Sequence, residues 1–250
     1  RRYPYLCGHA TIGAVTTLIE TGAIEATGPE SRLTVDTPSG PMDTLARVRD
    51  GVVASVAVQA VPSFVYGRER SLDVPGLGRI PVETVCVGGF FVMVPADCTG
   101  LPLAPENSAR LVDLGMTLID CANAQLDVQH PTRPEVSTVD VVEFYEENAG
   151  APPGGRSMVI YGERHMDRSP CGTGTAAKLT LLHHQGRIDM DQPYENTSPL
   201  GTVFEARLVR ETTVGEVPAV VAEIRGSAHI TGVHTFVLDP DDPFPGGFLP

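Results

Sequence analysis

Residues 7–24 read CGHATIGAVTTLIETGAI, residues 171–188 read CGTGTAAKLTLLHHQGRI, and the two stretches align without a gap. Both begin with Cys-Gly and end with Gly-x-Ile, and Thr11 of the first matches Thr175 of the second. Self-similarity within a chain is typical of structures built from related units. The alignment therefore predicts two similar halves, each built around its own copy of this segment.

Each copy has the pattern of a buried helix. Apolar residues occupy most of the helical circumference in both stretches, which is typical of a helix enclosed by other elements. Gly22 and Gly186 stand where a left-handed C-terminal cap is expected. Ser169 followed by Pro170 has the order of an N-cap and a first-turn proline. Both cysteines are therefore predicted at or beside a helix N-terminus.

Alternating stretches rich in β-branched residues and broken by turn residues follow each helix, and such stretches predict strands. They are residues 33–40, 43–61, 202–209 and 219–230. The predicted fold class is α/β, of the α+β kind. It has two pseudo-symmetric halves, each with a central helix wrapped by a mostly antiparallel sheet.

The two halves differ in what precedes the cysteine. Residues 81–166, which combine strand patterns with a helical segment starting near Pro105, lead up to the second cysteine. Only six residues precede the first. We therefore expect that the N-terminal part of the first half is absent from this sequence. The halves are expected to meet near the turn-rich residues 74–81.

The charge of the chain argues for a small-molecule ligand. Acidic residues outnumber Lys and Arg by 31 to 18, and the formal net charge is −13. Nucleic acids and anionic membranes are bound by clustered basic residues, and the sequence has no such cluster. We expect no nucleic-acid partner and no membrane partner.

The five cysteines indicate the compartment. An odd number without close CxxC pairs predicts neither a disulfide framework nor a zinc finger. This pattern favours a reducing, cytoplasmic location. No apolar run approaches the roughly 20 residues of a membrane span, and no signal peptide is recognised.

Cys7 and Cys171 begin the two copies, and their predicted positions suit them to proton transfer. The positive end of a helix dipole favours the thiolate and lowers its pKa. If the halves pack about a pseudo-twofold axis, one thiolate removes a proton while the opposite thiol supplies one. Inversion of an amino-acid alpha carbon needs that pairing, because the carbanion is deprotonated on one face and reprotonated on the other.

The same helix starts offer a carboxylate site. Backbone N–H groups at a helix N-terminus bind anions, and glycine permits close approach of the backbone. The residues that supply these groups are Gly8, His9, Gly172, Thr173 and Gly174.

Neither a metal nor an organic cofactor is required by this chemistry. His9 and Cys7 form a Cys-x-His pair, but no second pair with metal-ligand spacing is present. Lys178, the single lysine, lies inside an apolar helical pattern, which argues against a Schiff base with pyridoxal phosphate. We predict a cofactor-independent enzyme.

Five segments resemble proline racemases and hydroxyproline 2-epimerases, and together they cover essentially the whole chain. The two signature-like motifs are LCGHATIG at residues 6–13 and DRSPCGTGT at residues 167–175. The similarity continues through residues 130–145, 201–207 and 224–244. The CGTGT motif alone is common, but DRSPCGTGT together with CGH upstream is specific.

The resemblance implies the fold of diaminopimelate epimerase, in which the last strand returns to the first half. The implied domains are 1–77 plus 232–250 for the first half and 78–231 for the second. It also implies a homodimer.

The resemblance implies roles for the site residues as well. Cys7 and Cys171 correspond to the two bases, and His9 and Asp167 lie at the substrate nitrogen. Asp167 suits that place because a carboxylate accepts hydrogen bonds from a cationic amine. The backbone groups implied to hold the carboxylate are those of Gly8, His9, Gly172 and Thr173.

Within the family, the pattern favours proline as the substrate. Hydroxyproline epimerases tend to carry a histidine where Val141 stands, and an apolar residue suits an unsubstituted ring. Tyr161 stands where similar racemases have a phenylalanine in the pocket wall, and its hydroxyl keeps 4-hydroxyproline 2-epimerase open. Cys171 argues against a trans-3-hydroxyproline dehydratase, which has threonine there.

Two hypotheses outside this family remain. One is a binding protein that captures a carboxylate without chemistry, and the presence of both thiols argues against it. The other is a thiol redox protein that uses a disulfide between Cys7 and Cys171.

Overall fold

The computed structural model describes residues 7–37, 40–67, 70–148 and 153–247. These ranges contain the helices α1 Gly8–Glu20, α2 Ser108–Gln125 and α3 Gly172–His184. The first seven strands are β1 Glu30–Thr37, β2 Gly40–Arg49, β3 Val52–Gln59, β4 Ser63–Val65, β5 Arg70–Val74, β6 Gly78–Val87 and β7 Gly89–Pro95. The other six are β8 Val139–Asn148, β9 Gly154–Tyr161, β10 His165–Met166, β11 Tyr194–Thr197, β12 Val203–Val214 and β13 Val217–Gly226.

The strands around α3 close into a barrel. Their order is β13, β12, β11, β9, β8, β7, β6 and β4, and β4 pairs back onto β13 between Ser63 and Val220. The helix α3 runs through this ring, and ten of its thirteen residues are buried. The Ser63 hydroxyl, 2.6 Å from Thr180 Oγ1, links the closing strand to the helix. The all-round apolar pattern of this segment is thereby explained, because strands surround it.

The sheet continues from β13 to β3, β2 and β1, and α1 packs on this extension. Here the helix is covered from one side. Ile12, Val15 and Ile19 are buried, but Leu18 is 37% exposed. The prediction of burial around most of the circumference is therefore correct for α3 and wrong for α1, because the described strands do not close around α1.

The two helices end alike. Gly22 has φ +72° and Gly186 has φ +67°, so both left-handed caps are confirmed. After the cap, the Ile24 N–H donates to the Leu18 carbonyl in the first copy. In the second copy, the Arg187 N–H donates to the equivalent Leu182 carbonyl. The left-handed glycine thus has a shared backbone role, whereas the donor is the last residue of Gly-x-Ile in the first copy and the middle residue in the second.

Most strand pairs are antiparallel, as predicted, and the exceptions are β7 with β8 and β9 with β11. The helix expected near Pro105 is α2, which packs outside the barrel against β5, β8 and β9. None of the described helices is long and apolar enough to cross a membrane.

The tail after β13 differs from the expectation. Residues 227–247 contain no helix or strand, so the returning last strand implied by the resemblance is not formed there. Val233 and Phe236, each 91% exposed, have no neighbouring strand that covers them. Residues 1–6 and 248–250 of the expected first half lie outside the described residues. The hairpin of β5 and β6 spans the expected boundary at 77/78.

Candidate active site

Cys7 is the N-cap of α1. Its backbone is extended, with φ −139°, and its carbonyl accepts hydrogen bonds from Thr11 N–H at 3.1 Å and the Thr11 hydroxyl at 3.0 Å. The half-buried sulfur lies 3.5 Å from Nε2 of His9. The chain therefore turns into the helix directly at the thiol, as the duplicated segment predicts.

Cys171 is the N-cap of α3, so the prediction of Ser169 as N-cap is wrong. The sulfur itself accepts a hydrogen bond from Gly174 N–H at 3.3 Å. Ser169 does not reach the helix, because its hydroxyl accepts the Cys171 N–H at 3.1 Å and donates to Asp167 Oδ1 at 2.8 Å. Cys171 has φ +62° and ψ 115°, a backbone that non-glycine residues avoid at a cost of about 1–3 kcal/mol.

The two helix starts meet at glycines. A Cβ on Gly172 would lie 3.3 Å from the Cα of Gly8, and a Cβ on Gly8 would lie 3.4 Å from the Cα of Gly172. Side chains at these two positions would separate the helix ends. The sequence pattern Cys-Gly in both copies is thereby explained, because the glycine after each thiol lets the ends touch.

His9 connects the two helix starts. Its Nδ1 lies 3.2 Å from the Ser169 hydroxyl and 3.5 Å from Asp167 Oδ2, while its Nε2 faces the Cys7 sulfur. The pKa of His9 is raised to about 10, first by its hydrogen bond to Asp167 and then by that to Cys7. The ring is therefore a cation at neutral pH.

The surroundings of the two thiols shift their pKa values in opposite directions. The hydrogen bond from His9 lowers the pKa of Cys7, and the N–H of Ala10 adds to it. Burial raises the pKa of Cys171 well above its usual range, and the Asp167 carboxylate adds to that. Burial acts to raise the pKa of Asp167, but hydrogen bonds from His9 and Ser169 outweigh it and hold that pKa below its usual value.

The backbone N–H groups predicted to bind the substrate carboxylate lie at these two helix ends. The first N–H groups of a helix have no partner within it, so those of Gly8, His9, Gly172 and Thr173 are available by geometry. Gly174 differs, because its N–H is directed to the Cys171 sulfur.

Val141 and Tyr161, the predicted pocket-wall residues, are direct partners across β8 and β9. Tyr161 is 37% exposed, and its ring centroid lies 5.7 Å from that of His165. Burial raises the pKa of Tyr161, and the nearby Asp167 and the two thiols add to the effect. The structure thus brings this pair to the same end of the barrel as the thiols.

Sequence reasoning missed a buried polar group beneath the second thiol, formed by Glu143, Ser157 and Asn196. An acidic residue at an inward position of a strand that reads VDVVEFY is a signal for such a group. The other two residues carry no comparable signal, because short polar residues are common in strands and turns. Among the described residues, no group of three or more His, Cys, Asp or Glu is placed to hold a metal ion.

Residues 1–249 match the protein family described as proline racemase. This chain belongs to the proline racemase family. It is therefore an isomerase of the racemase and epimerase class, as predicted. A proline racemase of Clostridioides difficile is 40% identical over 247 residues, which are 99% of this chain and 74% of that protein.

Two further relatives extend the comparison. A 4-hydroxyproline 2-epimerase of Streptosporangium roseum is 38% identical over 98% of this chain and 73% of its own length. The crystal structure of a hydroxyproline epimerase from Agrobacterium vitis with bound trans-4-hydroxy-L-proline has a TM-score of 0.89 and 34% identity. That match covers 98% of this chain and 70% of the other. The predicted diaminopimelate epimerase-like fold is confirmed.

Proposed function

We propose that this member of the proline racemase family inverts the alpha carbon of proline, with Cys7 and Cys171 as the paired base and acid. The observation that carries the proposal is the contact of two equivalent helix starts at Gly8 and Gly172, each with a cysteine as its N-cap residue. Two-base inversion needs one proton acceptor and one proton donor on opposite faces of the substrate.

In the proposed reaction, one proton is removed from the alpha carbon and one is returned to it. The Cys7 thiolate takes the alpha proton, and the electron pair stays on the alpha carbon and its carboxylate. The Cys171 thiol then gives its proton to the opposite face, which leaves Cys7 as thiol and Cys171 as thiolate. Their opposite pKa shifts support this resting arrangement, since the thiolate is favoured at Cys7 and the thiol at Cys171.

The surrounding groups hold the substrate. We assign the carboxylate to the backbone N–H groups of the two helix ends, where developing negative charge is stabilised as well. They belong to Gly8, His9, Gly172 and Thr173. The N–H of Gly174, which was predicted to join them, is directed to the Cys171 sulfur instead. We assign the substrate nitrogen to the ionised Asp167, which can accept its hydrogen bonds. His9 lies beside this position, but as a cation bonded to Asp167 and directed at Cys7 it does not accept a hydrogen bond from the amine. This chemistry uses no cofactor.

The second candidate substrate is 4-hydroxyproline. The half-buried Val141 offers an apolar wall, which favours the unsubstituted ring of proline. The hydroxyl of the partly exposed Tyr161 offers a polar group to a substituted ring. Relatives with each of the two activities resemble this chain to a similar degree.

Four broader assignments stay proposals. They are a first half of residues 1–77 plus 232–250, a second half of residues 78–231, a homodimer, and a cytoplasmic location. The pairing of β5 with β6 argues for moving the first boundary toward residue 62. Light scattering on the purified protein checks the dimer.

Exchange of the alpha proton into deuterated water tests the function. The full-length protein is given L-proline, D-proline and trans-4-hydroxy-L-proline in turn, and we expect exchange fastest with the proline enantiomers. No exchange with any of the three would leave a carboxylate-binding protein as the better interpretation. Loss of water from trans-3-hydroxy-L-proline, offered as a fourth substrate, would indicate the dehydratase.

The thiols are tested by Cys7→Ser and Cys171→Ser, each expected to lower turnover by about 100-fold or more because serine is a far weaker base. Cys121→Ser, a half-buried thiol on α2, is the matched control and is expected to stay active. Retention of most activity by either of the first two variants would contradict the two-base assignment. A chelator is expected to have no effect.

A further inference from the structure

Glu143 is a fully buried carboxyl group beneath the start of α3. It lies on β8 and points into the barrel, where the Ser157 hydroxyl lies 2.5 Å from its Oε1. Its Oε2 has no hydrogen-bond partner within the described part of the chain. A Cβ on Gly174 would lie 2.7 Å from that oxygen, so the carboxyl packs directly under the first turn of the helix.

Asn196 links this carboxyl to the segment that carries Cys171. The amide group Nδ2 of Asn196 donates to the Pro170 carbonyl at 3.1 Å and to Thr175 Oγ1 at 2.9 Å. Because a carbonyl only accepts, the nitrogen must face Pro170, and Oδ1 must face Ser157 at 3.2 Å. The orientation of the amide is therefore fixed.

The number of protons available for hydrogen bonds around Ser157 decides whether Glu143 is ionised or protonated. Ser157 has a single hydroxyl proton, yet both Oε1 of Glu143 and Oδ1 of Asn196 lie within its reach. If Glu143 were ionised, one of these two buried oxygens would have no donor, at a cost of about 1–3 kcal/mol. If Glu143 is protonated, it donates to Ser157, and Ser157 donates to Asn196. Both hydrogen bonds, from Glu143 to Ser157 and from Ser157 to Asn196, then have a proton.

We propose that Glu143 is a neutral carboxylic acid that positions Cys171 through Ser157 and Asn196. The proposal rests on the assignment of Cys171 to proton transfer. The hydrogen-bond relay from Glu143 through Ser157 to Asn196 ends at Pro170 and Thr175, on either side of Cys171. It therefore holds the strained backbone of Cys171 in place. Glu143 is thus a positioning residue, not a group that touches the substrate.

Other charged groups around Glu143 are consistent with a neutral acid. Lys178 on α3 is 1% exposed, but its ammonium is paired with Glu147 at 2.9 Å and lies 3.2 Å from the Tyr145 ring centroid. Burial raises the pKa of Glu143 to about 7, against the bond from Ser157 and the charge of Lys178. The titratable groups that face it are Cys171 at the start of α3, Lys178 within α3, Tyr194 from β11 and Tyr145 from β8 itself. The charges of Glu147 and Arg187 act on Lys178.

Ionisation of Glu143 would change the site in two ways. The relay would lose a proton, so Asn196 would hold Pro170 less firmly. A negative charge would also appear beneath Cys171 and oppose its thiolate. Both effects reduce activity as the pH rises through the pKa of Glu143, about 7.

Glu143→Gln tests the proposal because an amide nitrogen donates to Ser157 as a protonated carboxyl does. We expect this variant to keep kcat/KM within about threefold of the wild type near neutral pH, and Glu143→Ala to lose about tenfold or more. The ratio of kcat/KM of Glu143→Gln to that of the wild type should rise by about tenfold between pH 6 and pH 9, because the variant cannot ionise.

Infrared difference spectroscopy gives a readout independent of turnover. At about pH 6, ordinary carboxyl groups are ionised. The spectrum of the wild type minus that of Glu143→Gln should therefore show the carbonyl stretch of a protonated acid. Glu195→Gln, an exposed carboxylate next to Asn196, is the matched control and should not remove the band.

The outcomes separate this inference from the proposed function. Absence of the band, or equal loss of activity in Glu143→Gln and Glu143→Ala, would overturn the inference. The band without any alpha-proton exchange in the wild type would leave the neutral acid standing and remove the racemase. If Glu143→Ala does not fold, the band and the pH-dependent ratio still test the proposal.

Discussion

Cys7 and Cys171 occupy equivalent positions of a duplicated segment, but they do not have equivalent surroundings. A cation, His9, lies beside the half-buried Cys7. The buried Cys171 has the Asp167 carboxylate nearby and no comparable cation in the described part of its helix start. A symmetric sequence motif thus gives an asymmetric pair, in which the first thiol loses its proton more readily.

Removal of the His9 charge is expected to move the pH dependence of the enzyme. In His9→Gln, the Cys7 thiolate loses its largest stabilising contact, so the pKa of Cys7 rises and the acidic limb of kcat/KM shifts to higher pH. We expect activity at neutral pH to fall by about tenfold or more and to recover only in part on the alkaline side, where Glu143 is ionised. The pKa of His9 is about 10, so the wild-type limb reports Cys7 and not the imidazole.

The control for this variant is His184→Gln, which changes an exposed imidazole at the far end of α3. Its pH profile should match that of the wild type. An acidic limb that stays in place in His9→Gln would show that the imidazolium does not stabilise the Cys7 thiolate.

At the scale of elements, each helix start is shaped by what lies beneath it. The first turn of α3 rests on Glu143 and Val159, and Gly174 is the residue that allows this close approach. In α1 the residue equivalent to Gly174 is the exposed Ala10, and a Cβ added one turn later, at Gly13, would meet no atom within 4 Å. The two helices therefore tolerate a methyl group very differently.

Gly174→Ala is expected to destabilise the protein by about 1–3 kcal/mol. Its Cβ would lie 2.7 Å from Glu143 Oε2 and 2.9 Å from Val159 Cγ2. The shift of the turn should also lower activity, because the Gly174 N–H caps the Cys171 sulfur. Denaturant unfolding and kcat/KM measure the two effects.

Gly13→Ala is the matched control, and helix propensity predicts a gain of up to about 1 kcal/mol. Similar stability for Gly174→Ala and Gly13→Ala would contradict the tight packing under α3.

The elements show how far sequence reasoning reaches. The duplication predicted the two helices, their glycine caps and both thiols, because these features depend on local pattern. It placed the N-cap of α3 at Ser169 because Ser-Pro usually begins a helix, whereas here the serine bonds to Asp167. It missed Glu143 and the open side of α1, because both depend on which strands meet far along the chain.

At the scale of the whole molecule, two of the described connections between the halves differ in kind. One is the antiparallel pairing of β3 with β13, which makes the sheet continuous. The other is the contact of Gly8 with Gly172, which sets the separation of the thiols. The strand pairing stabilises the fold through several backbone hydrogen bonds. The glycine contact is a single close approach that fixes the position of one helix start against the other.

Gly172→Ala is therefore expected to affect activity more than stability. Its Cβ would lie 3.3 Å from the Gly8 Cα, a backbone atom that cannot rotate away, so the helix ends must separate by a few tenths of an ångström. Since a misplacement of about 1 Å can cost about 100-fold in rate, we expect kcat/KM to fall by about tenfold. The free energy of unfolding should fall by no more than about 1 kcal/mol.

The comparison that isolates this effect is Gly89→Ala, at the start of β7, where an added Cβ has no atom within 4 Å. That variant should keep both its stability and its kcat/KM. If Gly172→Ala matched it in rate, the spacing of the two helix starts would not limit proton transfer. If it unfolded instead with a loss well beyond that of Gly174→Ala, the glycine contact would be a structural joint between the halves and not a spacer for the thiols.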